Sequence, residues 1–255
     1  MKRKPHKGGA EMLYGRQPVR EMLRAGRRRV EALLLARESR RTAELEEIEA
    51  LAAAARVPVR AAPRRTIQQM VGTGNHQGVA ARVGPYPYVD ERNLAEILEG
   101  PASPVLLLFL DHLEDPQNVG SLLRTAEASG VAVVILPADR AAGVTPAVTR
   151  ASAGAAEHLR VARVTNLVRS MRLAGDRGVR LVGLEAVPEA RPIHEVDLSG
   201  DTGLIVGSEA RGLGRLVRET CAELVRLPRR GRVGSLNAAV AGAMALYEAV
   251  RQRGS

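Results

Sequence analysis

The chain has no tryptophan, one phenylalanine (Phe109) and four tyrosines among its 255 residues. So few rings argue against a platform that stacks unpaired bases on exposed aromatics. The single cysteine, Cys221, rules out an internal disulfide and suits a reducing compartment. It falls within a helical pattern, where a buried apolar role is expected. The five histidines (6, 76, 112, 158 and 194) are scattered, and no HExxH occurs, so no metal site is expected. No apolar run is long enough to span a bilayer, so no membrane association is expected. The basic start MKRKPHKGGAEM leads into no hydrophobic core of a secretory signal. There is no GxxxxGK[ST] phosphate loop, and GTGNHQG (72–78) lacks dinucleotide-binding spacing. A cytoplasmic protein is the expectation.

Lysine is also scarce, at 3 against 35 arginines. A GC-rich genome explains arginine replacing lysine, but not where the charge lies. Residues 1–83 hold 18 Lys+Arg against 8 Asp+Glu, whereas residues 84–255 hold 20 of each. A positive field confined to one region is the footprint of a polyanion, most often a nucleic acid.

The organisation follows from patterning. After a basic tail (1–10), RQPVREMLRAG (16–26) reads as a helix closed by Gly26. VEALLLA (30–36) reads as a strand, and residues 42–55 as a helix capped by Thr42. With VPVR (57–60), RRTIQQMVG and GVAARV (78–83), these segments make a small α/β unit over 11–83. GPYPYVDERN (84–93) reads as a linker. Over 94–255, near-continuous apolar runs recur at 105–110, 131–136, 179–186, 203–207 and 223–228, separated by helical patterns. Buried parallel strands look like this, so the second domain is expected to be α/β with a mostly parallel sheet and helices on both faces.

In such sheets ligands bind beyond the carboxyl ends of the strands. Four of those ends carry unusual loops: EDPQNVGSLLRTAEASGV (114–131), LEA (184–186), GSEARGLG (207–214) and LPRRGRVGSLN (227–237). Taken singly each has a plain reading. Asp115-Pro116 is a helix cap followed by a first-turn proline, Arg124 pairs with Glu127 on a solvated face, and Ser235 caps the last helix. That helix is rich in Ala and Gly, which suits close packing against a neighbour or a second copy. Four such loops at four strand ends are harder to dismiss together.

DHLEDPQNVGSLLRTAEASGV, GLIVGSEARGLG and LPRRGRVGSLNAAVAGAMALYEAV resemble, in order and spacing, the three motifs of the SpoU/TrmH family of RNA ribose 2'-O-methyltransferases, within the SPOUT superfamily. The join 151–172 also fits. YGRQPVREML and HQGVAARV resemble the RNA-binding domain of its 23S ribosomal RNA guanosine branch. The resemblance implies a trefoil knot, S-adenosylmethionine as cofactor, ribosomal RNA as partner and a homodimer packed through knot helices. It assigns Gly207, Leu227 and Leu236 to the methyl donor, with Pro228 and Gly212 shaping the same pocket. It places Asn118, Arg124, Glu209, Ser235 and Asn237 around the reacting centre, with Arg124 meeting the target ribose and its phosphate. Two positions depart from the pattern: Ala210 stands where glycine is frequent, and Arg229 where an apolar residue is frequent. A transfer RNA guanosine, the 23S adenosine of thiostrepton-resistance enzymes, or a role as a non-catalytic assembly factor are the competing expectations.

Overall fold

The computed structural model describes residues 9–73, 75–98, 104–209, 211–231 and 236–254. Strands β1 (Glu11–Tyr14), β2 (Val30–Ala36), β3 (Val59–Ala62) and β4 (Val79–Val83) alternate with helices α1 (Arg16–Ala25), α2 (Ala43–Ala54) and α3 (Arg64–Val71). Helix α4 (Glu91–Leu98) follows, then β5 (Leu106–Asp111), α5 (Pro116–Ala128), β6 (Val133–Pro137), α6 (Pro146–Ala151) and β7 (Val161–Val164). The remainder is α7 (Leu167–Gly175), β8 (Arg180–Leu184), β9 (Arg191–Pro192), β10 (Thr202–Gly207), α8 (Arg215–Thr220), β11 (Glu223–Arg226) and α9 (Ala238–Arg253).

The first compact unit holds residues up to Pro87 together with Val144–His158. Its four-stranded sheet has the order β1-β4-β2-β3, antiparallel except for the β2–β3 pair. Local signals explain its helices. Gly26 ends α1 at φ 61, where its N–H bonds the Met22 carbonyl, and the Thr42 side chain accepts from Leu45 N to cap α2. One face of the sheet, with Leu13, Leu33, Val79 and Ala81, packs on Val19 and Met22 of α1 and Leu45 and Ile48 of α2. The other face, with Leu34, Ala36 and Ala80, packs on Ile67 of α3.

Two expectations from the sequence shift here. Residues 84–87 are part of this unit, and Tyr86 is buried, its hydroxyl donating to the Ala156 carbonyl at 2.9 Å. Residues 144–158 also cluster here, although the apolar patterning grouped them with the second domain. The physical reason is a buried ion pair: Arg28 Nε lies 2.9 Å from Glu157 Oε2, with both side chains essentially sequestered from solvent. Thr149 Oγ1 donates to the same carboxylate at 3.3 Å. Glu11 pairs with Arg28 at 2.8 Å, and the Arg28 guanidinium lies 4.9 Å from the Tyr86 ring centroid.

The second unit (Tyr88–Gly143 and Leu159–Ser255) is built on a seven-stranded sheet ordered β7-β6-β5-β10-β8-β11-β9. Every pairing among these strands is parallel. Five strand regions were expected; β7 and the two-residue β9 add to them. The strand order reverses direction between β5 and β10, the position at which a crevice opens at the carboxyl end of such a sheet. Leu107, Phe109, Ile135, Ile205 and Met171 fill the core on one side. On the other side α9 lies against α5 and β10. A Cβ at Gly242 would meet Leu122 Cδ2 at 2.5 Å and Val206 Cγ2 at 3.1 Å, so the small residues of α9 permit its close approach.

Candidate active site

Three loops at carboxyl strand ends converge on one carboxylate. Glu209 follows β10; its Oε1 accepts from Asn118 Nδ2 at 3.0 Å and from the Ala238 backbone N–H at 3.2 Å. Asn237 Nδ2 donates both to that oxygen and, at 2.9 Å, to Asn118 Oδ1. Asn237 Oδ1 in turn accepts from Val240 N at 3.1 Å, capping α9. The loop after β5, the loop after β10 and the start of α9 are thus tied together by three side chains far apart in sequence. Asp115 and Pro116 set the first of these loops: the Asp115 side chain caps Gln117 N, and the proline takes the first helical position.

Glu209 also lines a cavity. Its walls come from the ends of β8 (Leu184, Glu185, Ala186), β10 (Val206, Gly207, Ser208) and β11 (Val225, Arg226, Leu227), closed by Gly212, Arg229, Leu236 and the start of α9. The loop after β10 folds back tightly. A Cβ at Gly207 would come within 2.4 Å of the Gly212 backbone, and Gly212 itself has φ 63. Glycine is required at both positions. Two carboxylates pin this loop. Glu185 accepts from Leu213 N at Oε2 (3.0 Å) and faces Arg218 with Oε1 (3.4 Å), and buried Asp111 accepts from Gly214 N at 2.7 Å. Cys221 lies beneath, where a Cβ on Gly183 would meet its sulfur at 2.8 Å. Burial pushes its thiol up to about 12, so it remains protonated and is no nucleophile at neutral pH.

Among the residues singled out from sequence, Gly207, Gly212, Leu227 and Leu236 line the cavity, and Pro228 joins two residues that do. Asn118, Glu209 and Asn237 form the hydrogen-bonded cluster. Arg124 is exposed on α5, and among the described residues no ion pair or hydrogen bond engages its guanidinium, including the anticipated one to Glu127. Ser235 and Ala210 lie outside the described residues. The sequence pointed to the LEA loop (184–186) but gave Glu185 no role, and gave none to Asp111. Their signal was an acidic side chain at the carboxyl end of an apolar strand. Among the described residues no cluster of His, Cys, Asp and Glu could hold a metal, and no helix is long and apolar enough to cross a membrane.

The model of the SpoU rRNA methylase family matches residues 105–247, the span that carries all of these loops. The chain belongs to the SpoU rRNA methylase family. Residues 12–89 match a second model, the substrate-binding domain of RNA 2'-O ribose methyltransferases. The chain is 43% identical over 243 residues to the 23S rRNA (guanosine-2'-O-)-methyltransferase RlmB of Pseudomonas putida, covering 95% of this chain and 97% of that one. Among solved structures, the AdoMet-bound rRNA methyltransferase from Sinorhizobium meliloti superposes with a TM-score of 0.79 at 26% identity, covering 96% of this chain and 88% of that one. The SpoU methyltransferase AviRb from Streptomyces viridochromogenes, in complex with AdoMet, gives 0.79 at 27% identity over 96% and 91%. As a SpoU protein, the chain is an α/β RNA methyltransferase joined to a substrate-binding domain.

Proposed function

We propose that this protein transfers the methyl group of S-adenosylmethionine to the ribose 2'-hydroxyl of a guanosine in 23S ribosomal RNA. The observation that carries the reading is the convergence of the three strand-end loops on Glu209 at the rim of an apolar cavity. The residues present fit the cofactor. Leu184, Val206, Leu227 and Leu236 offer flat apolar walls to an adenosyl group, Glu185 and Glu209 supply negative charge, and Arg229 supplies a cation for a carboxylate. When bound, S-adenosylmethionine supplies an electrophilic methyl on a sulfonium. The ribosomal substrate is supported by the named activity of the Pseudomonas putida relative and by the substrate-binding model over residues 12–89.

The chain's own task is alignment and charge. In-line displacement needs the acceptor oxygen held within near-attack distance, a positional effect that contributes much of the rate. Asn118, Glu209 and Asn237 are positioning residues, since their hydrogen bonds fix where the three loops meet. Ser235, by its place just before α9, is assigned with them. Arg124 is the residue that meets RNA. A guanidinium keeps its proton and makes a poor base, so it acts by holding the target phosphate in its planar fork and offsetting negative charge that develops on the ribose oxygen. Among the described residues its guanidinium has no partner, which leaves it free to do so.

Arg124→Lys retains the charge and loses the fork. Methyl transfer should fall by about 10²-fold, while calorimetry shows S-adenosylmethionine binding unchanged. Near-native transfer by this variant would remove Arg124 from the reacting centre.

The protein acts as a homodimer in the cytoplasm. Val240, Met244 and Tyr247 recur at i, i+4 and i+7 on α9 and are exposed by 48%, 47% and 69%, a stripe suited to a second copy of the chain. The carboxyl-terminal segment forms the family's knot, a reading supported by β11 lying between β8 and β9 rather than at the sheet edge.

A further inference from the structure

The ion pairs of the first unit divide its arginines into two classes. On the face bearing α1 and α2, four arginines are answered by glutamate. Arg16 pairs with Glu44, Arg20 and Arg24 with both Glu21 and Glu47, and Arg41 with Glu46 and Glu49. The opposite face differs. Residues 50–89 contain five arginines and no Asp or Glu; Arg82 pairs with Glu31 at 2.9 Å and Arg56 follows α2, which leaves Arg60, Arg64 and Arg65. Arg60 is in register with Leu34 on the parallel β2–β3 pair, and Leu34 belongs to the α3 side of the sheet, so Arg60 shares that side. Arg64, Arg65, Gln68 and Gln69 line a groove along α3, while Ile67 of the same helix turns into the core. Arg60, Arg64 and Arg65 are exposed, and among the described residues their side chains form no ion pair. The carboxylate of Glu38 accepts the Arg64 backbone N–H at 3.0 Å, not its guanidinium.

From this segregation we infer that the α3 face of the first unit is the RNA grip, and that it binds phosphates rather than bases. The inference rests on the RNA substrate proposed above and names the surface that meets it. Three unanswered guanidiniums beside two amide side chains complement a phosphodiester backbone. Among the described residues no aromatic ring serves the face as a stacking platform. Tyr86 is buried, and Tyr14 is covered by the Arg150 guanidinium, 5.1 Å from its ring centroid. Contacts of this kind position a folded RNA without reading its sequence. The choice of nucleotide therefore falls to the methyltransferase unit, and this face sets register and affinity.

The test is binding of the full chain to an in vitro transcript of 23S ribosomal RNA over a salt series, with cofactor omitted. In the variant carrying Arg60→Ala, Arg64→Ala and Arg65→Ala, affinity should drop about tenfold or more, and the slope of log affinity against log salt should become shallower by about 2. All three side chains are exposed, so its thermal unfolding should match the wild type. The triple lysine variant should keep the wild-type slope. Arg20→Ala with Arg24→Ala, on the neutralised face, should leave slope and affinity unchanged. Wild-type binding in the triple alanine variant, or an equal loss in the Arg20/Arg24 variant, would overturn the assignment. Failure of the methyl-transfer reading is seen separately, as a wild-type protein that binds RNA but never methylates it.

Discussion

A single oxygen, Glu209 Oε1, accepts from two asparagine amides and one backbone N–H. Glu209 is exposed, so water can take its place as acceptor and its loss should tell on geometry more than on stability. Glu209→Ala should cost no more than about 1 kcal/mol in urea unfolding and about 10²-fold in methyl transfer, the scale expected when a reacting centre is misplaced by an ångström. Glu209→Gln keeps a carbonyl acceptor and should recover part of the transfer rate. Near-native turnover in the alanine variant would show that the loops hold their geometry without it. At this scale, Asn118, Glu209 and Asn237 were assigned through the resemblance of their motifs to the SpoU/TrmH family, and their three side chains meet in one hydrogen-bonded cluster. Glu185 and Asp111 were not legible, since an acid after an apolar run is common and only its hydrogen bond to a distant loop distinguishes it.

At the scale of elements, helix caps were readable because they are local: Thr42, Asp115 and Gly26 act within one turn of their own helices. Partnership between elements is not local. Thr145 and Pro146 announce α6, but nothing nearby indicates that residues 144–158 pack with the first unit, a placement set by Arg28 more than a hundred residues away. Short β9 carries too few residues for any periodicity. The Arg28–Glu157 pair yields a prediction with a definite sign. Burial raises the Glu157 carboxyl above its ordinary range, and the attraction of Arg28 only partly offsets this. The folded state therefore holds that proton to higher pH than the unfolded chain. Stability attributable to Glu157 is complete below the ordinary carboxylate range and declines as pH rises through the folded-state value. Urea unfolding across pH should show that decline, and Glu157→Gln should flatten it. An unchanged profile would contradict the assignment. Removing the group altogether, as Glu157→Ala, should cost about 3–5 kcal/mol by leaving Arg28 buried with, among the described residues, Glu11 alone as ion-pair partner.

For the molecule as a whole, charge proved as informative as motif. The asymmetry between the first third and the rest was visible in composition. Its division into a neutralised face and an unanswered one required the sheet register and the helix packing, because Glu21 neutralises arginines on its own helix and Glu47 neutralises the same arginines from the neighbouring one. The parallel sheet was legible from its apolar runs, whereas its strand order was not, since periodicity says nothing of neighbours. The division of labour we propose has a cationic unit holding folded RNA and a neutral unit aligning a ribose hydroxyl. It is tested most directly by nucleoside analysis of a 23S ribosomal RNA transcript after incubation with the full chain and S-adenosylmethionine. The account predicts 2'-O-methylguanosine as the new nucleoside. A base-methylated nucleoside, or no transfer to a folded transcript that the protein demonstrably binds, would contradict it.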